Sequence, residues 1–200
     1  AAGFFREAGA TGSPAGGAAT AGLHLSGGTT AVALQFAGRV SEDRLWLRRK
    51  NTAWQPWREV YTQGSVLGSV GQSGGVPTGA IIERGSNANG DYVRYADGTQ
   101  ICSTAINAGS PLATGAGTRA NPYSTGGVSW TFPAAFSAVP SFSTFATIAD
   151  GGAPLVNRIF DFSAAGVNAT AVTALRAHRA TDGTDTSDVT IHAQAIGRWF

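Results

Sequence analysis

The apolar runs of this chain are all short, and that limits what it can build. "GLHLS" (22–26), "AVALQF" (31–36) and "RLWLRR" (44–49) each end at a glycine pair or a polar turn such as "SEDR". Leu23/Leu25 and Leu45/Leu47 repeat with period two, which places apolar side chains on one face of a strand. No run is long enough to carry a helical stripe through several turns. The same pattern returns in the second half, at "GGVSWTF" (126–132), "SFSTFATI" (141–148), "NRIFDFSA" (157–164), "ATAVTALRAH" (169–178) and "DVTIHAQAIGRW" (188–199). "FPAAFSAVP" (132–140) interrupts these with two prolines that a strand interior rejects. With 28 glycines and only 13% charged residues, the expected class is all-β, with many short strands joined by turns.

Composition removes several functions. The formal net charge is +2, and the 14 basic residues, all arginine except Lys50, form no cluster that would grip nucleic acid. Cys102 is the sole cysteine, so neither an intrachain disulfide nor a multi-cysteine zinc site can form. No apolar run approaches the ~20 residues that span a bilayer, so membrane insertion is not expected. The chain has no methionine and no signal-peptide pattern at its start, and reads as a piece of something longer.

Four segments follow from the patterning. Residues 1–63 read as a small β domain closing on "NTAWQPWREVY" (51–61), whose Trp54 and Trp57 are expected to fill its core. Within "TQGSVLGSVGQSGGVPTG" (62–79), residues 64–78 read as an extended linker. Residues 79–110 form a hairpin neck and 111–200 a β-sandwich of jelly-roll type. In the neck, Asp97-Gly98 between alternating runs predicts a two-residue type I′ turn. That register pairs Ala96 with Thr99, Tyr95 with Gln100 and Val93 with Cys102, and makes Cys102 a small buried hydrophobe. In the last strand Val189, Ile191, Ala193 and Ala195 share an apolar face. Thr190, His192 and Gln194 form a neutral polar face suited to a subunit partner, with His192 a hydrogen-bonded interface residue.

Three stretches together resemble known fibre modules. "GFFREAGATGSPAG" through "LWLRRKNTAWQPWREVY" (3–61) resembles the pyocin knob domain of phage and tailocin fibres. "GAIIERGSNANGDYVRYADGTQICS" (79–103) is similar to a hairpin found just before the distal tip of prophage tail fibres. "WTFPAAFSAVPSFS", "NRIFDFSAAGVNATAV" and "VTIHAQAIGRW" are similar to fibre tips with an H-type-lectin-like sandwich. The resemblance implies a homotrimeric receptor-binding tail fibre or head spike of a phage, prophage or gene transfer agent. Its implied partners are a bacterial surface polysaccharide and other virion fibre or spike proteins, with no cofactor. By position, the sugar-contacting arginine of the lectin family falls on Arg158. Its histidine falls on His178, with Arg176 and Arg179 beside it, although the aromatic residue that accompanies it in the family is absent.

The residues themselves point to the same region. "RAHRATDGTDTSD" (176–188) concentrates Arg176, His178, Arg179, Asp182, Asp185 and Asp188 in a chain otherwise poor in charge. Guanidinium groups and carboxylates bind vicinal sugar hydroxyls through paired hydrogen bonds, and an aromatic face such as Tyr123 can lie beneath the ring. A solvated loop that keeps the tip soluble explains the same composition. The three aspartates lack the glycine and terminal glutamate of an EF-hand, so no metal is expected. The glutamates (Glu7, Glu42, Glu59, Glu83) all precede the distal segment, and no nucleophile elbow or phosphate loop occurs. The expectation is a non-catalytic adhesin. A structural fibre segment contacting another virion protein, and a capsule depolymerase using aspartates, remain as alternatives.

Overall fold

The computed structural model describes residues 3–7, 14, 20–28, 31–39, 41, 43–110, 114–148, 160–179 and 187–200. The chain divides into two compact units, Ala1–Ser69 with Gly79–Ile81, and Val70–Thr78 with Ile82–Phe200.

Unit 1 is a single antiparallel sheet of β1 (Gly3–Glu7), β2 (Thr20–Ser26), β3 (Val32–Arg39), β4 (Leu45–Asn51), β5 (Ala53–Trp54) and β6 (Arg58–Val60). Strands β1 to β4 pair in chain order, and β4 also holds β5 and β6. The alternating runs predict β2, β3 and β4. Nothing in "GFFRE" signals β1, because it begins with adjacent aromatics and shows no alternation. Thr52, between β4 and β5, has φ +66°, and its amide donates to the Ala31 carbonyl at 2.8 Å. A short helix α1 (Gln63–Val66) follows, with the Ser65 hydroxyl accepting from the Thr62 amide at 2.8 Å.

The stretch expected as an extended linker is ordered. After α1 it forms a two-stranded hairpin, β7 (Gln72–Ser73) with β8 (Val76–Pro77). Gly74 (φ +58°) and Gly75 (φ +81°) sit between them, which is the type I′ turn that glycine enters without strain. Val70 is anchored too, its amide donating to Glu83 Oε2 at 2.9 Å.

Unit 2 is a two-sheet sandwich. One sheet runs in the order β14, β17, β11, β10, β9, with β9 (Ile82–Asn87), β10 (Gly90–Tyr95), β11 (Thr99–Asn107), β14 (Ser141–Ile148) and β17 (Val189–Arg198). The other places β16 (Ala171–Arg179) between β12 (Tyr123–Ser124) and β13 (Val128–Thr131) on one side and β15 (Asp161–Ala165) on the other. The two sheets close on a core of Cys102, Trp130, Phe132, Phe136, Val172, Leu175, Ala177, Val189, Ile191, Ala193 and Ala195. The buried set on β17 is the predicted one, because strand alternation fixes which side chains face inward.

The neck hairpin differs from its predicted register by one residue. Tyr92, not Val93, lies opposite Cys102, and Arg94 lies opposite Gln100. The loop has three residues. Gly98 donates to the Tyr95 carbonyl at 3.0 Å, Asp97 Oδ1 accepts from the Thr99 amide at 2.8 Å, and Gly98 has φ +96°. That is a type I turn followed by a glycine bulge, which an Asp-Gly pair serves as well as a type I′ turn. Cys102 is fully buried, as expected, and burial pushes its thiol up from the ordinary range.

Candidate functional site

A polar surface of the sandwich lies on the outer face of its four-stranded sheet. Strand β16 runs through Arg179, so Arg176, His178 and Arg179 belong to a strand, whereas the sequence suggested a loop. Alternation then divides them. Arg176 is exposed and His178 half-buried, while Arg179 is buried at 3% exposure opposite Tyr123.

Strand β15 completes the outward patch. Ser163 lies opposite Arg176, and Asp161 opposite His178. The Ser163 hydroxyl and His178 Nε2 are hydrogen-bonded at 2.6 Å, which fixes the imidazole plane, and His178 Nδ1 is buried without a hydrogen-bond partner. The Arg176 side chain lies over Gly127, where an added Cβ would come within 3.1 Å of Nε. A glycine here lets the guanidinium lie close to the backbone. The patch therefore offers a guanidinium, a carboxylate, a hydroxyl and an imidazole on two adjacent strands. Such a set donates to and accepts from neighbouring hydroxyls while carrying little net charge.

The remaining predicted residues are placed differently. Asp188 accepts from Asn107 Nδ2 at 2.8 Å beside the start of β17, on the five-stranded sheet. Tyr123 packs its ring over Gly117, where an added Cβ would come within 2.4 Å of Cε2. Arg158, Asp182 and Asp185 lie outside the described residues. Among the described residues no cluster of histidine, cysteine and acidic side chains could hold a metal ion. Asp161 and Ser163 draw no notice in the sequence because "NRIFDFSA" reads as a strand through its apolar face at Phe160 and Phe162. The "DFS" alternation that turns both outward was legible.

Two other surfaces stand out. On the outer face of the five-stranded sheet, Phe145 is 61% exposed and stacks on His192 with ring centroids 4.6 Å apart and planes 5° apart. His192 Nε2 also meets the Thr147 hydroxyl at 2.9 Å. In unit 1, Trp54 and Trp57 are not a core pair. They hold the Arg48 guanidinium between them at 4.5 and 4.3 Å from the ring centroids. Arg48 Nε donates to Gln35 at 2.6 Å, and Gln35 reaches His24 at 3.2 Å. This closed network fixes the strands that carry it, since each cation–π contact offsets part of the cost of half-burying the guanidinium.

No protein-family model matches the chain, and no curated protein matches it. Solved structures do. A C-terminal fragment of the R1 pyocin fiber of P. aeruginosa is 16% identical, with 98% of this chain and 63% of that one covered and a TM-score of 0.42. An N-truncated R2-type pyocin tail fiber is 13% identical, with 89% and 82% covered and a TM-score of 0.39. The chain thus spans just under two thirds of the R1 fragment it matches.

Proposed function

We propose that this chain is a receptor-binding segment of a tail fibre or head spike on a phage or phage-like particle. In this reading unit 2 adheres to a host surface polysaccharide without cleaving it. The observation that carries it is the outward patch of Asp161, Ser163, Arg176 and His178 on β15 and β16. Its donors and acceptors suit the vicinal hydroxyls of a sugar. Arg158, Asp182 and Asp185 join the proposal because their segments adjoin β15 and β16 in sequence. The chain acts as a homotrimer, with the neutral outer face of β17 directed at a neighbouring copy, so that three weak sites act together through avidity.

The test is binding of the purified chain to host cells with and without their capsule, alongside a reducing-end assay on the polysaccharide. Capsule-dependent binding without new reducing ends is expected. Arg176→Ala should weaken it at least tenfold, and Gly127→Ala should weaken it less, by lifting the guanidinium. Intact binding by Arg176→Ala would place the site elsewhere, and released reducing ends would make the chain a depolymerase. A second reading, a structural segment contacting another virion protein, is favoured by the exposed Phe145 and Ile196 (61% and 42%) on the five-stranded sheet. It expects no binding to either cell surface.

A further inference from the structure

Alternation sorts the charges of the unit 1 sheet as well as its apolar residues. Ala37 lies opposite Trp46, both buried, and the pair marks one face. The other face carries the cross-strand row Phe4, Leu23, Phe36, Leu47, and beside it Leu25 opposite Leu34. The charged residues of the strands in that register are Arg6, Arg49 and Arg58, and all three are exposed. Arg49 ends the row of Leu25 and Leu34, and Arg58 ends the row of Phe4 beyond Leu47. Arg6 opens the row that follows, opposite Ala21. The acidic residues of the same strands fall in the opposite register, Glu59 opposite Trp46 and Glu7 opposite Thr20.

This face is therefore an apolar field with guanidinium groups at its margin. Phe4 is 92% exposed, Val32 48% and Leu25 38%. Apart from Asn51, opposite Val32 at one corner, no strand side chain between the arginines can form a hydrogen bond. Two open grooves run along the face, one of about 390 Å³ beside Phe4 and Leu23 and one of about 610 Å³ from Leu25 to Arg49. A sugar or a protein surface is recognised through placed polar contacts, and the centre of this face offers none. An acyl layer asks for none, and an anionic headgroup layer above it meets the arginines. The aliphatic stem of arginine can rest on apolar surface while its head reaches outward.

We propose that unit 1 docks through this face on an anionic lipid surface, with Phe4, Leu25 and Val32 entering the acyl boundary and Arg6, Arg49 and Arg58 at the phosphates. A sheet lying in the interface spans nothing, so it needs none of the ~20-residue apolar runs that the chain lacks. Four strands spaced ~4.8 Å apart and about seven residues long, at ~3.4 Å per residue, give roughly 450 Å² of projected face. An apolar patch of about that size on a single chain often marks where a partner binds. Each basic side chain near an anionic leaflet is worth about fivefold in affinity, so three separate an anionic from a neutral surface by about a hundredfold. The docking does not depend on the sugar patch of unit 2, and its failure leaves that reading standing.

The test is co-flotation of the full chain with vesicles of phosphatidylglycerol and phosphatidylcholine in equal parts, and with phosphatidylcholine alone. Binding to the mixed vesicles is expected, about a hundredfold tighter than to phosphatidylcholine, and it weakens as added salt shortens the screening length. Arg49→Gln with Arg58→Gln should cost about 25-fold on the mixed vesicles and leave phosphatidylcholine binding unchanged. Phe4→Asp with Val32→Asp should abolish flotation with circular dichroism unchanged, because both side chains are exposed. Arg176→Ala, in the sugar patch, should float as the parent does. A parent that floats with neither vesicle, as it would if a protein covered this face, overturns the proposal. Equal binding to both vesicles, or flotation kept by the Asp variant, overturns it as well. Should the Asp variant not fold, Phe4→Cys carrying a polarity-sensitive dye decides the matter, since buried Cys102 does not take the label. Its emission is expected to shift to the blue on mixed vesicles, and an unshifted emission refutes the docking.

Discussion

A single change at Gln100 tests what holds the irregular segment 132–140 to the sandwich. Gln100 is fully buried in β11, and its Nε2 donates to the carbonyls of Ala134 (2.8 Å) and Ala135 (3.2 Å). Its Oε1 accepts from Arg94 Nε at 2.7 Å. One side chain thus holds the irregular segment 132–140 against the central sheet. Gln100→Ala removes two carbonyl partners, strands Arg94 Nε and opens a small cavity. At roughly 1 kcal/mol for each of the three hydrogen bonds, and about 1 kcal/mol more for the cavity, the cost is about 4 kcal/mol. Gln100→Glu is the sharper experiment, because it preserves volume and strengthens the bond to Arg94 while turning the donor into a second acceptor aimed at two carbonyls. Were packing and Arg94 the whole story, it would be harmless. If the donor bonds matter, it costs about as much as alanine while ionised. Burial beside those carbonyls raises the folded pKa of the new carboxyl above its unfolded value of ~4.3. The folded state then holds the proton more tightly, so the variant is most stable below pH ~4 and loses stability as pH rises towards its folded pKa. The assay is urea unfolding of parent and variant across pH, with amide exchange of residues 132–140 as the local readout. A Glu variant as stable as the parent at pH 8, with unchanged protection of 132–140, would refute the reasoning.

Other expectations follow from single sites. Gly90→Ala should cost more than ~2 kcal/mol, because φ is +124° and the new Cβ would lie 2.2 Å from the Ser103 carbonyl oxygen; thermal unfolding with and without the substitution checks it. Cys102 should react with a thiol reagent only on the unfolding timescale, since it is fully buried and burial raises its pKa; rapid labelling of native protein would contradict its placement. The Asp97 carboxyl is held below its usual range, mainly by the Thr99 amide it accepts from. Its contribution to the hairpin is therefore present above the unfolded pKa and is lost as pH falls through the lower folded value; Asp97→Asn should flatten that acid limb in amide exchange at Thr99. Thr52→Asn should stabilise unit 1 by about 0.5–1 kcal/mol, because asparagine tolerates the φ of +66° better than a β-branched residue; an unchanged melting temperature would argue against strain at that turn.

Much of this architecture was legible in the chain because alternation is a local signal. The inward set Val189, Ile191, Ala193 and Ala195 could be read without knowing any partner strand. What depends on pairing was less accessible. Asp97-Gly98 fits two turn types, and only the Asp97 side chain on the Thr99 amide selects the three-residue loop. Gly74-Gly75 adopts the two-glycine turn instead, in a stretch whose composition suggested an extended linker. In the candidate site, Arg176 and His178 were visible as charge in a charge-poor chain. That they stand beside Ser163 and Asp161 needed the register of β15 against β16. The pairing of Trp54 and Trp57 around Arg48 was hidden too, because proximity in sequence did not tell which side chain would pass between them.

The order β14, β17, β11 has a consequence for how the molecule is made. β11 and β14 do not pair with each other; β17 lies between them and joins β14 to the β11–β10–β9 part of the sheet. Gln100 meets Gly197 in that pairing, so the central contact closes a loop of nearly a hundred residues. Such distant pairing is slow to form. Until residues 189–198 leave the ribosome, β11 and β14 present two unsatisfied edges to whatever strand is near, which is the state most open to misassembly. Whatever docks on the outer face of β17 can do so only after that gap has been filled.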